Sequence, residues 1–217
     1  MSKKLQSIFQ QTYFATTAAK LSQVPKAFIP EVAFIGRSNA GKSTAINLIT
    51  HQTRLAFASK TPGRTQHLNF FGVPRSTKEK NQFYGHLVDL PGYGFASSAK
   101  WVKDDWDGLI GGYLEQRETL AGVVILMDIR HPLQEIDLSL LDWLVDCGRG
   151  EIPILVLLTK CDKLNQQQKI ETLRNVKSRF ELLPSLIHVD IELFSAPKKI
   201  GLIPTWFWLA ERLKISI

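Results

Sequence analysis

The chain has 217 residues, 44% hydrophobic and 22% charged, which suits one domain with a buried core. No apolar run approaches the ~18 residues of a membrane span, residues 1–5 lack the apolar stretch of a secretion signal, and two cysteines, Cys147 and Cys161, make neither a disulfide framework nor a metal cluster. The expectation is a cytoplasmic protein with reduced thiols, whose net charge of +7 fits either a polyanion-binding surface or a merely soluble basic one.

Residues 1–30 read as a prelude. Ile8, Phe9, Tyr13 and Phe14 suit a short helix face, and Pro25 and Pro30 punctuate the chain before the first strand. This predicts an N-terminal extension docking on a domain that spans 31–217. The apolar run Val32-Ala33-Phe34-Ile35 reads as a strand. It enters Gly36-Arg37-Ser38-Asn39-Ala40-Gly41-Lys42-Ser43, which fits G-x-x-x-x-G-K-[ST], and residues 43–49 continue as a helix. In that context the glycines let backbone N–H groups converge on phosphate oxygens, and the helix N-terminus adds partial positive charge. Lys42 would reach the β- and γ-phosphates, and the Ser43 hydroxyl would bind Mg²⁺. A glycine turn beside a solvated lysine would match the same letters, so the weight falls on the flanks and on the later motifs.

Residues 51–66 have no periodicity and read as a long loop at the phosphate end, containing Thr61-Pro62-Gly63-Arg64-Thr65-Gln66. A strand follows at 67–71, then an exposed hairpin turn over 73–82 and a strand at 83–88. The spacing predicts a helix over 98–117, with Trp101 and Trp106 on its apolar face and Gly108, Gly111 and Gly112 weakening it. Strands are predicted at 123–127, 152–158 and 186–194, and helices at 134–147, 166–182 and 203–213. Strands alternating with helices make a parallel sheet covered on both faces. The basic residues Lys169, Arg174, Lys177 and Arg179 on the 166–182 helix suit a solvated face or an RNA contact. The five histidines show no metal-ligand spacing and are assigned no shared role.

Ligands of open α/β sheets bind beyond the carboxyl ends of the strands. Asp89 closes one predicted strand and heads Asp89-Leu90-Pro91-Gly92. Its carboxylate suits Mg²⁺, and the Gly92 N–H suits a γ-phosphate. Thr159-Lys160-Cys161-Asp162 follows another. A carboxylate there would accept two N–H bonds from guanine N1 and N2, a donor pair adenine lacks, while the lysine stem lies across the base; a solvated Lys/Asp turn has the same letters. Phe194-Ser195-Ala196 ends the last strand, where a backbone N–H would meet guanine O6.

Taken together, Gly-Arg-Ser-Asn-Ala-Gly-Lys-Ser, Gly-Arg-Thr-Gln, Asp-Leu-Pro-Gly, Thr-Lys-Cys-Asp and Ser-Ala resemble the five G-motifs of a translation-factor-related GTPase. More narrowly, Leu-Pro-Gly-Tyr-Gly-Phe-Ala and Thr-Pro-Gly-Arg-Thr-Gln resemble the EngB/YihA (YsxC) family of bacterial GTPases, over residues 5–213. The resemblance implies a Ras-like P-loop GTPase domain, a mostly parallel six-stranded sheet with one antiparallel strand at 67–71 and helices on both faces. It implies GTP and GDP as ligands, held by 36–44, by Gly63, Arg64, Thr65, Gln66 and His67, and by the three motifs named above. It implies Mg²⁺ held by Ser43, Thr65 and, through water, Asp89, with Lys42, Thr65 and Gly92 acting on the γ-phosphate. It further implies a monomer that acts on the large ribosomal subunit, on rRNA and proteins, and is needed for normal septation and cell division.

Two departures stand out. Thr159 occupies the place where asparagine is commoner, with one fewer donor. Tyr93 occupies the place of the glutamine that orients water in many GTPases, so slow intrinsic turnover is expected. The resemblance makes Asn39 a candidate to help hold K⁺ beside the phosphates, as the matching asparagine does in related GTPases; a simple brace of the loop is the other reading. Two rival functions are an ATP-using P-loop kinase, against which Asp162 argues, and an RNA-binding assembly scaffold in which GTP only orders the loops.

Overall fold

The computed structural model describes residues 1–57, 67–75, 82–93, 108–182 and 188–216. Its elements run α1 (Ser2–Phe9), β1 (Tyr13–Ala18), β2 (Glu31–Gly36), α2 (Lys42–Ile49), β3 (Leu68–Pro74), β4 (Phe83–Asp89), α3 (Leu109–Gln116), β5 (Leu120–Asp128), α4 (Glu135–Asp146), β6 (Ile154–Thr159), α5 (Gln166–Phe180), β7 (Val189–Leu193) and α6 (Leu202–Arg212). The sheet order is β1-β3-β4-β2-β5-β6-β7. β3 runs antiparallel to both its neighbours, and all other neighbouring pairs are parallel.

Every residue of β2 and β6 is buried, because helices cover both faces, and apart from Glu31 and Thr159 at their ends these runs are apolar without alternation. The side chains still point alternately up and down. Ala33, Ile35, Val123, Ile125, Val156 and Leu158 enter one core, which residues of α3, α4 and α5 close. Val32, Phe34, Val124, Leu126, Leu155 and Leu157 enter the other, which residues of α1, α2 and α6 close. No helix among the described residues is long and apolar enough to cross a membrane.

The sheet has seven strands rather than the six expected. The extra one is β1, in the prelude. Tyr13 and Phe14 do not continue the helix face that starts with Leu5 and Phe9; α1 stops at Phe9 and the chain extends along β3. Aromatic and β-branched residues favour that pleated edge, where Phe14 meets Phe71 edge-on at 6.3 Å. Leu5 and Phe9 are fully buried in the same core as Trp206 and Leu209. Of the predicted 98–117 helix, the described part is α3; Trp101, Trp106 and the turn at 76–81 lie outside the described residues.

One charged cluster anchors the amino end of β2, the end away from the phosphate loop. Glu31 is fully buried. Its carboxylate accepts bonds from Arg117 Nη2 at 2.5 Å, Arg117 Nε at 2.8 Å and the Tyr113 hydroxyl at 2.7 Å. His86 Nδ1 lies 3.8 Å away. Arg117 also donates to the Pro25 carbonyl at 2.7 Å, which ties the prelude to the sheet.

Candidate nucleotide-binding site

β2 delivers the chain to Gly36 at the carboxyl edge of the sheet. A side chain at Gly36 would stand 2.7 Å from the Leu126 carbonyl oxygen, so only glycine lets the loop leave between β2 and β5. The loop then reverses through two left-handed residues, Asn39 at φ +63° and Gly41 at φ +92°. Gly41 caps α2, whose first turn has N–H groups without intrahelical partners. Lys42, Ser43 and Thr44 occupy that turn. Such a turn is an anion site by geometry and by dipole.

Lys42 Nζ is ion-paired with Asp89 Oδ1 at the end of β4. Burial pushes the Asp89 carboxyl up, opposed by the Lys42 ammonium and by Asn69. Asn69 stands opposite Asp89 in the antiparallel β3–β4 register. After Asp89 the backbone returns to the P-loop: Leu90 N bonds Phe34 O at 3.0 Å, Tyr93 N bonds Gly36 O at 3.2 Å, and Ser38 N bonds Tyr93 O at 3.0 Å. Leu90, Pro91 and Gly92 are therefore pinned beside the phosphate loop at both ends.

The guanine motif is tied to the same loop. The Thr159 hydroxyl lies 2.7 Å from the Ala40 carbonyl oxygen and 3.1 Å from that of Met127. A threonine thus does join the two loops, as its single donor allows. Lys160, left-handed at φ +57°, donates from Nζ to the Asn39 carbonyl at 2.7 Å and pairs with Asp128 at 2.9 Å. Asp128 is also bonded by Arg130 Nε at 2.9 Å and Nη2 at 2.6 Å. The Arg130 bonds hold its carboxyl far below the usual range despite burial, with Lys160 adding to them. The Cys161 amide bonds the Phe194 carbonyl at 3.1 Å, and the Ser195 hydroxyl donates to Asp162 Oδ1 at 2.6 Å. That bond lowers the Asp162 carboxyl, so it is an anion at neutral pH. Cys161 is buried, and burial pushes its thiol up, which fits a packing residue rather than a nucleophile.

The structure thus brings together 36–44, 89–92, 159–162 and 194–196. His67 sits at the head of β3 with its Nδ1 buried and without a hydrogen-bond partner among the described residues. Gly63, Arg64, Thr65 and Gln66 lie outside the described residues. The Tyr93 side chain does not face solvent beside the phosphate loop. It is buried, and its hydroxyl donates to Asp137 at 2.7 Å. Asn69 and Asp128 were not found from sequence. Each is defined by the partner it meets across the sheet, and no local pattern marks it.

Mg²⁺ fits the donors present. Among the described residues no three His, Cys, Asp or Glu side chains cluster for a metal. Mg²⁺ does not need such a cage: it takes one or two protein oxygens and completes its shell with phosphates and waters. Ser43 and Asp89 offer one hydroxyl and one buried carboxylate beside the phosphate loop.

Residues 31–160 match the family described as 50S ribosome-binding GTPase. A probable GTP-binding protein EngB of Dechloromonas aromatica is 46% identical over 210 residues, covering 97% of this chain and 90% of that protein. One from Mannheimia succiniciproducens is 45% identical over 205 residues, covering 92% and 94%. Among solved structures, a probable GTP-binding protein EngB superposes with a TM-score of 0.60 at 20% identity, over 86% of this chain and 100% of that one. A GTP-binding protein of Sulfolobus solfataricus in complex with GDP superposes at 0.56 and 20% identity, over 85% and 52%.

Proposed function

Because this chain belongs to the EngB family of GTP-binding proteins and is a GTPase, we propose that it works as a GTP-driven conformational switch on the large ribosomal subunit during its assembly, and that normal septation and cell division depend on it. The observation that carries the guanine reading is the Asp162 carboxylate, anionic, oriented by Ser195 and joined through Lys160 to the phosphate loop. The family's description as ribosome-binding and the +7 charge support the ribosomal partner. We take the protein to be a cytoplasmic monomer, with 1–30 as an extension docked on the 31–217 GTPase domain.

In this reading the P-loop amides and Lys42 hold the β- and γ-phosphates, which compete with Asp89 for the Lys42 ammonium. Gly92 donates its N–H to the γ-phosphate. Water attacks the γ-phosphorus and GDP leaves, with charge stabilised by these fixed donors. Ser43, Thr65 and, through water, Asp89 would hold Mg²⁺, which when bound neutralises charge on the β- and γ-oxygens. Thr65 would close on it only with a γ-phosphate present, and this would couple the nucleotide to the outer surface.

Hydrolysis measured with and without large ribosomal subunits tests the proposal. Acceleration by subunits is expected, with binding that favours the GTP form and weakens steeply as salt rises. Equal affinity of both nucleotide forms, with no acceleration, would favour the scaffold reading instead.

Asn39 suggests a source for the missing catalytic charge. Its backbone is left-handed, its side chain is exposed, and no hydrogen bond of that side chain occurs among the described residues. With Asn39 helping to hold K⁺, hydrolysis should be faster in K⁺ than in Na⁺. An arginine finger in that role gives ~10³–10⁵. Asn39→Ala should abolish the difference while GDP binding survives; equal rates in the two salts would remove the idea.

A further inference from the structure

One fully buried carboxylate, outside the sequence motifs, is shared by two of the nucleotide loops. Asp137 lies on the first turn of α4 and is completely buried. Its Oδ1 accepts the Tyr93 hydroxyl at 2.7 Å. Its Oδ2 accepts the Gln134 amide at 3.0 Å and stands 3.3 Å from Arg37 Nε. Capping α4 accounts for the Gln134 bond alone. The other two partners come from elsewhere: Arg37 is the second residue of the P-loop, and Tyr93 directly follows Gly92. The backbones of Arg37 and Tyr93 are bridged as well, so the side-chain network doubles a backbone link.

We propose that Asp137 is a positioning residue for hydrolysis. By holding the Tyr93 ring and the Arg37 guanidinium, it fixes the pivot on which the Gly92 amide is carried. The peptide that donates to the γ-phosphate is then set in place before the reaction rather than recruited during it, and pre-set donors are the ones that stabilise developing charge. Burial makes the link strong: a hydroxyl–carboxylate bond away from water is worth more than a neutral exposed one. Tyr93 thus has a role other than orienting water. It is the handle by which the core holds the loop. This inference rests on Gly92 meeting the γ-phosphate.

Tyr93→Phe tests it, since the ring stays buried, only the hydroxyl is lost, and Asp137 keeps Gln134 and Arg37. Loss of one charge-assisted bond predicts a kcat for GTP about tenfold lower. GDP affinity should stay within about twofold, because GDP lacks the phosphate concerned. Asp137→Asn, which keeps an acceptor oxygen, should fall between wild type and Asp137→Ala. Tyr93→Phe combined with Asp137→Ala should be no slower than Asp137→Ala alone, since Asp137→Ala already removes the bond to Tyr93. Thermal unfolding of each variant is followed separately. A lowered Tm with wild-type kcat for Tyr93→Phe would make the bond structural only and overturn the proposal. Replacing the Pro91–Gly92 amide by an ester, which removes the Gly92 N–H and nothing else, keeps the underlying reading distinguishable. If the ester hydrolyses GTP at the wild-type rate, Gly92 is not the donor; if it is slowed while Tyr93→Phe is not, only the positioning by Asp137 fails.

Discussion

Asp162→Asn is expected to lower GTP affinity by roughly two to four orders of magnitude and to improve binding of xanthosine triphosphate. Each guanine N–H bond to the carboxylate is charge-assisted and worth ~1.5–3 kcal/mol, so the pair contributes about 3–6 kcal/mol. The carboxylate is already arranged for this role. Ser195, itself fully buried, donates to Oδ1 at 2.6 Å, and Asp162 follows directly on Cys161, whose amide is bonded to Phe194. Little rotamer freedom is left for guanine binding to remove, so the discrimination should approach the sum of the two bonds. An amide turns one acceptor into a donor, which suits the C2 carbonyl of xanthine. Competition titrations against a fluorescent GDP analogue would read both changes. Unchanged GTP affinity in the variant would end the base-reading role of Asp162 and leave Ser195 as a merely structural partner.

Arg117→Ala should destabilise the fold by about 3–5 kcal/mol without altering nucleotide preference. Removing one partner of a buried pair strands the other charge, and that cost is set against a typical total of ~5–15 kcal/mol. Glu31 would keep only the Tyr113 hydroxyl and the neighbouring His86. The pH dependence has a definite sign. In the wild type, burial opposes ionisation of Glu31, but the bonds from Arg117 and Tyr113, with His86 close by, together outweigh it and hold the carboxyl below its ordinary value. Its contribution is therefore present above the unfolded pKa of about 4.3 and is lost as pH falls through the folded value. In the variant burial prevails and Glu31 titrates higher, so the deficit should be largest near neutrality and shrink in acid. Urea unfolding at pH 7 and pH 4 measures this. A deficit that is small at pH 7, or constant between the two, would mean that Glu31 is not the stranded charge. The cluster sits at the end of β2 opposite the phosphate loop, so a shift in guanine selectivity would also count against this account.

What was legible in the sequence was whatever is contiguous. The phosphate loop is one string because a single strand–turn–helix passage makes it, and Gly36 and Gly41 betray the turn through requirements that act within a few residues. The three other motifs were readable for the same reason. So was the alternation of apolar strands with amphipathic helices, since burial on two faces of β5 and β6 removes polar residues from short local runs. β1 was not legible. Whether Tyr13–Ala18 continues a helix or lies along a sheet depends on whether β3 has a free edge beside it, and that is a fact about another part of the chain.

The partners of the motifs belong to the tertiary structure in the same way. Asn69 reaches Asp89 only through an antiparallel register. Asp128 meets Lys160 because β5 and β6 end level, with Asp128 opposite Thr159. Asp137 joins Tyr93 across 44 residues and Arg37 across a longer stretch still, and each contact exists only once α4 has packed on its side of the sheet. The sequence by itself therefore determined which groups we propose to face a nucleotide, because covalent neighbours carry that chemistry. Folding alone decided what holds those groups still, because the contacts that do so close loops too long for any local pattern to record.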